Sequence, residues 1–123
     1  MSVDPKAADR DGRIDANLGA IERHLAECVD LAGRGRDAFL GTDFVNRYAA
    51  LAALIQIGNA AKDLPDTFRA AHPAVRWRAL MGTRDKIGHI YGDSIDWHTL
   101  WNTVENDVPV DLAAVQRILT ERG

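Results

Sequence analysis

Apolar residues fall at Ile14, Leu18, Ile21, Leu25, Cys28 and Ala32, separated by steps of 4, 3, 4, 3 and 4. This spacing puts six side chains on one stripe of an α-helix and suits packing in a bundle. Upstream, residues 1–10 hold Pro5, many charges and little apolar periodicity, which predicts a frayed N-terminus. Downstream, Gly33, Gly35 and Gly41 punctuate "GRGRDAFLGT" and predict a loop. Thr42 or Asp43 then offers a side-chain oxygen to cap a second helix, from about Phe44 to Leu64. That helix has two apolar stripes: Tyr48, Leu51, Ile55 and Gly58; and Leu54, Ile57, Ala61 and Leu64. One neighbour cannot cover both, so the helix is either central or shared with a second subunit.

Pro65 stops the second helix, and "DTFRAAHP" reads as a short helical turn and a loop. A third helix is expected from about Ala74 to Ile90, with Trp77, Leu80, Met81 and Ile87 inward; Gly82 and Gly88 weaken it and permit a bend. Asp96 opens a short helix carrying Trp97, Leu100, Trp101 and Val104. A last helix starts at Asp107-Val-Pro109, with Pro109 in the first turn and Val108, Leu112, Val115 and Leu119 on its stripe. No segment alternates with period two. The fold class expected is therefore all-α, a four- to five-helix bundle, with residues 11–123 as one domain.

The 123 residues suit one domain, and 46% hydrophobic with 27% charged content is ordinary for a soluble globular chain. No apolar run approaches the roughly 20 residues of a membrane span. Met1 to Arg13 is too polar for a signal peptide. The single cysteine, Cys28, cannot form an internal disulfide, and these features together point to the cytoplasm. A net charge of −3 argues against a protein that coats DNA. One basic stretch exists: between Phe68 and His89, Arg69, Arg76, Arg78, Arg84 and Lys86 face a single acid, Asp85. Such a stretch is either a solvated helix face or a phosphate-binding patch.

His24, His72, His89 and His98 form no HExxH or ExxH spacing and there is no cysteine pair, so neither a metal site nor a cofactor is expected. No phosphate-cradling glycine loop is present, and Ser94 has no evident histidine–acid partners. The remaining grouping is Arg84, His89 and Tyr91. Arginine followed five residues later by histidine is common by chance; adding a tyrosine two residues on makes it rare.

The three residue types suit metal-free RNA cleavage, in which the 2′-hydroxyl beside the scissile phosphate is the nucleophile. Histidine titrates near neutrality and serves as base or acid. Arginine presents a fixed fork of donors to phosphate oxygens, and tyrosine stacks on a base or hydrogen-bonds a phosphate. On an ideal helix Arg84 and His89 point about 140° apart, whereas Arg84 and Tyr91 nearly align. The first pair converges only if the helix bends at Gly88 or if a second chain contributes. A symmetric homodimer would supply two histidines and two arginines across one axis. The plainer alternatives are a capping His89, a core Tyr91, and an Arg84 paired with Asp85 or Asp93.

The stretch Arg84-Asp-Lys-Ile-Gly-His89-Ile-Tyr91 resembles the Arg-x4-6-His signature of HEPN-domain ribonucleases, and more closely the Arg-x4-His-x-Tyr form of the HepT toxins. "RIDANLGAIERHL" resembles their first helix and "FLGTDF" the loop into the second. "LIQIGNAAKDL" is similar to their "IGEAAK" segment. "RWRALMGTRDKIGHIYGDSIDWHTLWNTVENDVP" follows their Trp, Met, Arg, His, Tyr, Asp, Trp, Pro order. The resemblance spans about residues 11–120. It implies a dimeric, all-helical, metal-independent RNA endonuclease acting as the toxin of a toxin–antitoxin system. It also implies an antitoxin that is an MntA-like minimal nucleotidyltransferase, which transfers AMP to the motif tyrosine. Carried onto this chain, Arg84 and His89 are catalytic, Tyr91 is the AMP acceptor, and Lys86, Asp85 and Asn59 are supporting or RNA-binding candidates. The family often has glutamate where this chain has Asn59, which keeps hydrogen-bonding capacity and loses the charge. That departure supports a rival expectation: a catalytically silent HEPN-type module that binds a nucleotidyltransferase or a nucleotide.

Overall fold

The computed structural model describes residues 4–88 and 95–123, and of residues 84–88 the helical backbone alone. Among the described residues seven α-helices follow one another: α1 (Pro5–Gly33), α2 (Arg36–Leu40), α3 (Val45–Lys62), α4 (Asp66–Ala71), α5 (Trp77–Gly88), α6 (Trp97–Asn102) and α7 (Val108–Arg122). No strand occurs among the described residues, so the class is all-α as expected. Helices α1, α3, α5 and α7 form the bundle, and the three shorter helices turn its corners.

Helix α1 buries Ile14, Leu18, Ile21, Leu25, Cys28 and Leu31, the stripe that the spacing predicts with Leu31 completing the last turn. Its start differs from expectation. Residues 5–10, anticipated as frayed, are helical because Asp4 caps the helix, accepting from the Lys6 N–H at 3.0 Å, and Pro5 occupies the first turn. A caged φ and a satisfied donor offset the lack of apolar contacts there.

The segment expected as a loop after Gly33 also holds a helix. Gly35 turns the chain at φ 102°, a conformation that favours glycine. The five residues of α2 then drive Phe39 fully into the core, where its ring lies 5.2 Å from that of Trp101. Burying such a side chain is worth about 1.5–3 kcal/mol, enough to order a helix too short to form alone. Gly41 ends α2 with no space to spare: a Cβ there would meet the Asp37 carbonyl oxygen at 2.6 Å. Asp43 accepts from the Val45 N–H at 2.9 Å and starts α3 as predicted.

Helix α3 packs against α1 and α5 and touches α2 and α6 as well, so it has neighbours of its own chain on several sides, as a central helix does. Ala50, Ala53, Leu54, Ile57, Gly58 and Ala61 are buried in it. Tyr48, expected on a buried stripe, is 51% exposed. At the other end Arg69 of α4 donates to the carbonyls of Ala61 at 2.8 Å and Leu64 at 2.6 Å and pairs with Asp66. It thereby satisfies the open C-terminal carbonyls of α3. Helix α5 then packs along α3.

Trp77 opens α5 and is buried, its indole N–H donating to the His72 carbonyl at 2.9 Å. Leu80 is buried and Met81 half-buried against the same core; the Ile87 side chain lies outside the described residues. Asp96 caps α6 through both oxygens, accepting from the Thr99 N–H at 3.1 Å and the Thr99 hydroxyl at 2.8 Å. Those bonds hold its carboxyl below the usual aspartate range. Helices α6 and α7 join without a break through one π-helical turn, Thr103–Asp107. Pro109 lacks an N–H and would clash with the carbonyl four residues back, and the wider turn ahead of it accommodates that ring.

Candidate functional site

Arg84, Asp85 and Lys86 lie in the last turns of α5, on backbone that is regular helix through Gly88. Their side chains, with His89 and Tyr91 entirely, lie outside the described residues. The expectation that the histidine meets the arginine at a bend or across a dimer axis therefore falls outside them too. Asn59 is half-buried on α3, the helix that α5 packs along, and its carbonyl accepts from the Asp63 N–H at 3.2 Å.

The register of α5 is set at its start by a charge pair. Asp111 of α7 is wholly buried and accepts from the Arg76 guanidinium at 2.8 Å and the Arg76 backbone N–H at 3.3 Å. Asp107 adds a longer contact at 3.8 Å. The hydrogen bond to Asp111 raises the pKa of Arg76 further above its ordinary value. Two members of the basic stretch thus have structural duties: Arg69 caps α3 and Arg76 neutralises Asp111. Arg78 stays exposed. The cationic patch read from the sequence is thinner in three dimensions than along the chain.

The other titratable groups suggested by the sequence are also accounted for. His24 meets Glu27 at 2.6 Å, His98 lies 3.4 Å from Arg36, and the His72 ring sits 4.5 Å from that of Phe68. Cys28 is buried, and burial pushes its thiol up to about 12, which makes it a poor nucleophile at neutral pH. Among the described residues no three His, Cys, Asp or Glu side chains group as metal ligands would. No described helix is long and apolar enough to cross a membrane.

One feature of the site escaped sequence reasoning. Phe44 and Tyr48 pack edge to face at the start of α3, ring centres 5.7 Å apart, and Tyr48 tilts against Trp97 at 5.1 Å. The Arg47 guanidinium lies 5.5 Å from the Trp97 ring centre while donating to the Gly41 carbonyl at 2.7 Å. Trp97 opens α6, so this cluster joins the starts of α3 and α6. The i, i+4 spacing of Phe44 and Tyr48 was visible in the sequence; its junction with Trp97 was not.

A family model described as ribonuclease HepT-like matches residues 21–118 of this chain. A protein of Thermococcus cleftensis named probable ribonuclease HepT is 34% identical over 89 residues, covering 69% of this chain and 80% of that protein. A protein of Caldanaerobacter subterraneus subsp. tengcongensis, named as an RNase, is 32% identical over 103 residues, covering 80% of this chain and 90% of that protein. A Methanocaldococcus jannaschii protein, also named as an RNase, is 34% identical over 85 residues, covering 69% of each chain. No solved structure shows a significant match.

Proposed function

The chain belongs to the HepT-like ribonuclease family of the HEPN superfamily, and from that membership we propose that it is a metal-independent RNA endonuclease, the toxin of a toxin–antitoxin system. The observation that carries the reading is the family match across residues 21–118, which spans the whole of Arg84–Tyr91. In the proposed reaction one His89 imidazole takes the proton from the 2′-hydroxyl, whose oxygen attacks the adjacent phosphorus. The bond to the 5′-oxygen breaks, and a second imidazolium protonates that leaving oxygen. The products are a 2′,3′-cyclic phosphate and a 5′-hydroxyl end. Arg84 guanidinium donors stabilise the phosphorane charge. Two imidazoles in opposite protonation states are required at once, and a homodimer supplies them from one His89 per chain. Lys86, Asp85 and Asn59 are placed as supporting or RNA-contacting groups.

The same reading assigns regulation. An MntA-like minimal nucleotidyltransferase would transfer AMP from ATP to the Tyr91 hydroxyl with release of pyrophosphate. Bulk and negative charge would then occupy the groove meant for RNA phosphate. A second reading, a silent module that binds such a partner, is favoured by one residue: Asn59, where the family often carries glutamate.

The test is cleavage of total RNA by purified protein in EDTA. Wild type should generate cyclic phosphate ends, and His89→Ala should lower the rate by about 10²–10⁴-fold with its helical circular dichroism unchanged. Undiminished cleavage by His89→Ala removes that histidine from the mechanism; no cleavage by wild type selects the silent module. Intact mass after co-expression with a minimal nucleotidyltransferase reads AMP on Tyr91 directly.

A further inference from the structure

Four large hydrophobic side chains are conspicuously exposed among the described residues, and three of them, Phe44, Val45 and Tyr48, fall within five residues at the start of α3. Exposed aromatic rings held in fixed positions are costly unless something covers them. Phe44 is 58% and Tyr48 51% exposed. Their mutual angle is 89°, and Tyr48 meets Trp97 at 58°. Tilted neighbours support a ring at its edge and leave face area open, the arrangement that a stacking surface needs.

Two arginines stand beside the rings. Arg47 lies over the face of Trp97, its guanidinium donating to the Gly41 carbonyl at 2.7 Å and the Asp43 carbonyl at 3.3 Å, and exposed Arg36 reaches His98, the residue after Trp97. Of the acids close by along the chain, Asp43 and Asp96 accept from backbone N–H groups as helix caps, and Asp37 is exposed beside Arg36. Aromatic faces interleaved with arginines match a chain of bases on a phosphate backbone.

Resting on the ribonuclease reading above, we propose that Phe44 and Tyr48 form a base-stacking platform for single-stranded RNA, backed by half-buried Trp97 and flanked by exposed Arg36 as the phosphate-facing cation. The platform's chemistry selects unpaired RNA, because a base inside a duplex has no free face, and it is tolerant of sequence, because every base has a π-face.

The experiment uses the full chain and a fluorescent 2′-O-methyl oligonucleotide of about 12 nucleotides, whose blocked 2′-oxygens prevent cleavage, beside an abasic strand of equal length. Fluorescence anisotropy should show tighter binding of the base-bearing strand by wild type. Phe44→Ala and Tyr48→Ala should each weaken that binding roughly tenfold, leave abasic binding unchanged, and be rescued in Tyr48→Phe. Equal binding of the two strands by wild type, absence of binding, or variants that match wild type would overturn the platform. Light scattering at the same concentrations provides the remaining arm: variants that fall from dimer to monomer would make the patch a subunit interface and refute it. The oligonucleotide is never cut, so these results stand apart from whether the chain cleaves RNA.

Discussion

Replacing Arg76 by alanine should strip Asp111 of its counter-charge. Asp111 has no exposed surface, and among the described residues the contact left to it after the substitution is the 3.3 Å bond from the residue-76 backbone N–H. Breaking a fully buried pair from one side costs about 3–5 kcal/mol. The Arg76 side chain is 41% exposed, so water screens part of the interaction and the lower figure of about 2–3 kcal/mol applies. With 123 residues, the unfolding entropy is about 0.26 kcal/mol/K, so Tm should fall by about 8–12 °C. Thermal and urea unfolding followed by circular dichroism measure both quantities. The double variant Arg76→Met with Asp111→Leu replaces the pair by apolar groups of similar volume and should return to within about 1 kcal/mol of wild type. A single-variant loss below about 0.5 kcal/mol would refute the reasoning. So would a double variant no more stable than Arg76→Ala, because the penalty would then not come from an unpaired buried charge.

Gly41→Ala should destabilise by about 1–2 kcal/mol, because its Cβ would be 2.6 Å from the Asp37 carbonyl oxygen of the same turn; urea titration reads the loss. Cys28 should resist thiol reagents in the folded protein and label only at the rate of global unfolding, since it is buried and its pKa is raised to about 12. The same shift has a definite sign. Below pH 9 the thiol is protonated whether folded or not; above it the unfolded thiol ionises first, so stability should decline as pH rises from about 9 toward 12. Cys28→Ala should remove that slope.

How much of this protein is written in local pattern is clearest in α1 and α3. The α1 stripe from Ile14 to Cys28 is a statement about helical period alone, and those residues are buried where period places them. Asp4 and Pro5 also carried their capping chemistry openly, although the lack of apolar spacing concealed it. Helix α2 was not legible, because its glycines signal a break and its five residues hold no helix by themselves; the pocket that receives Phe39 is built from α6, far along the chain. The choice between a central and a shared α3 likewise required knowing what stood on each side of it.

The chemistry of the candidate site was legible as residue types: an arginine, a histidine and a tyrosine suited to phosphate and proton transfer. Arg84 takes its place on α5, while the meeting of His89 and Tyr91 with it lies outside the described residues. Sequence could not tell which arginines were free. Arg69 and Arg76 counted equally with Arg78 along the chain, and only folding assigned one to α3 carbonyls and another to Asp111. Period, capping and residue chemistry are properties of neighbours in the chain, so sequence alone determined the longer helices, the inward face of α1 and the family. Exposure, partners and the joining of Tyr48 to Trp97 depend on residues distant in the chain, and those the tertiary structure decided.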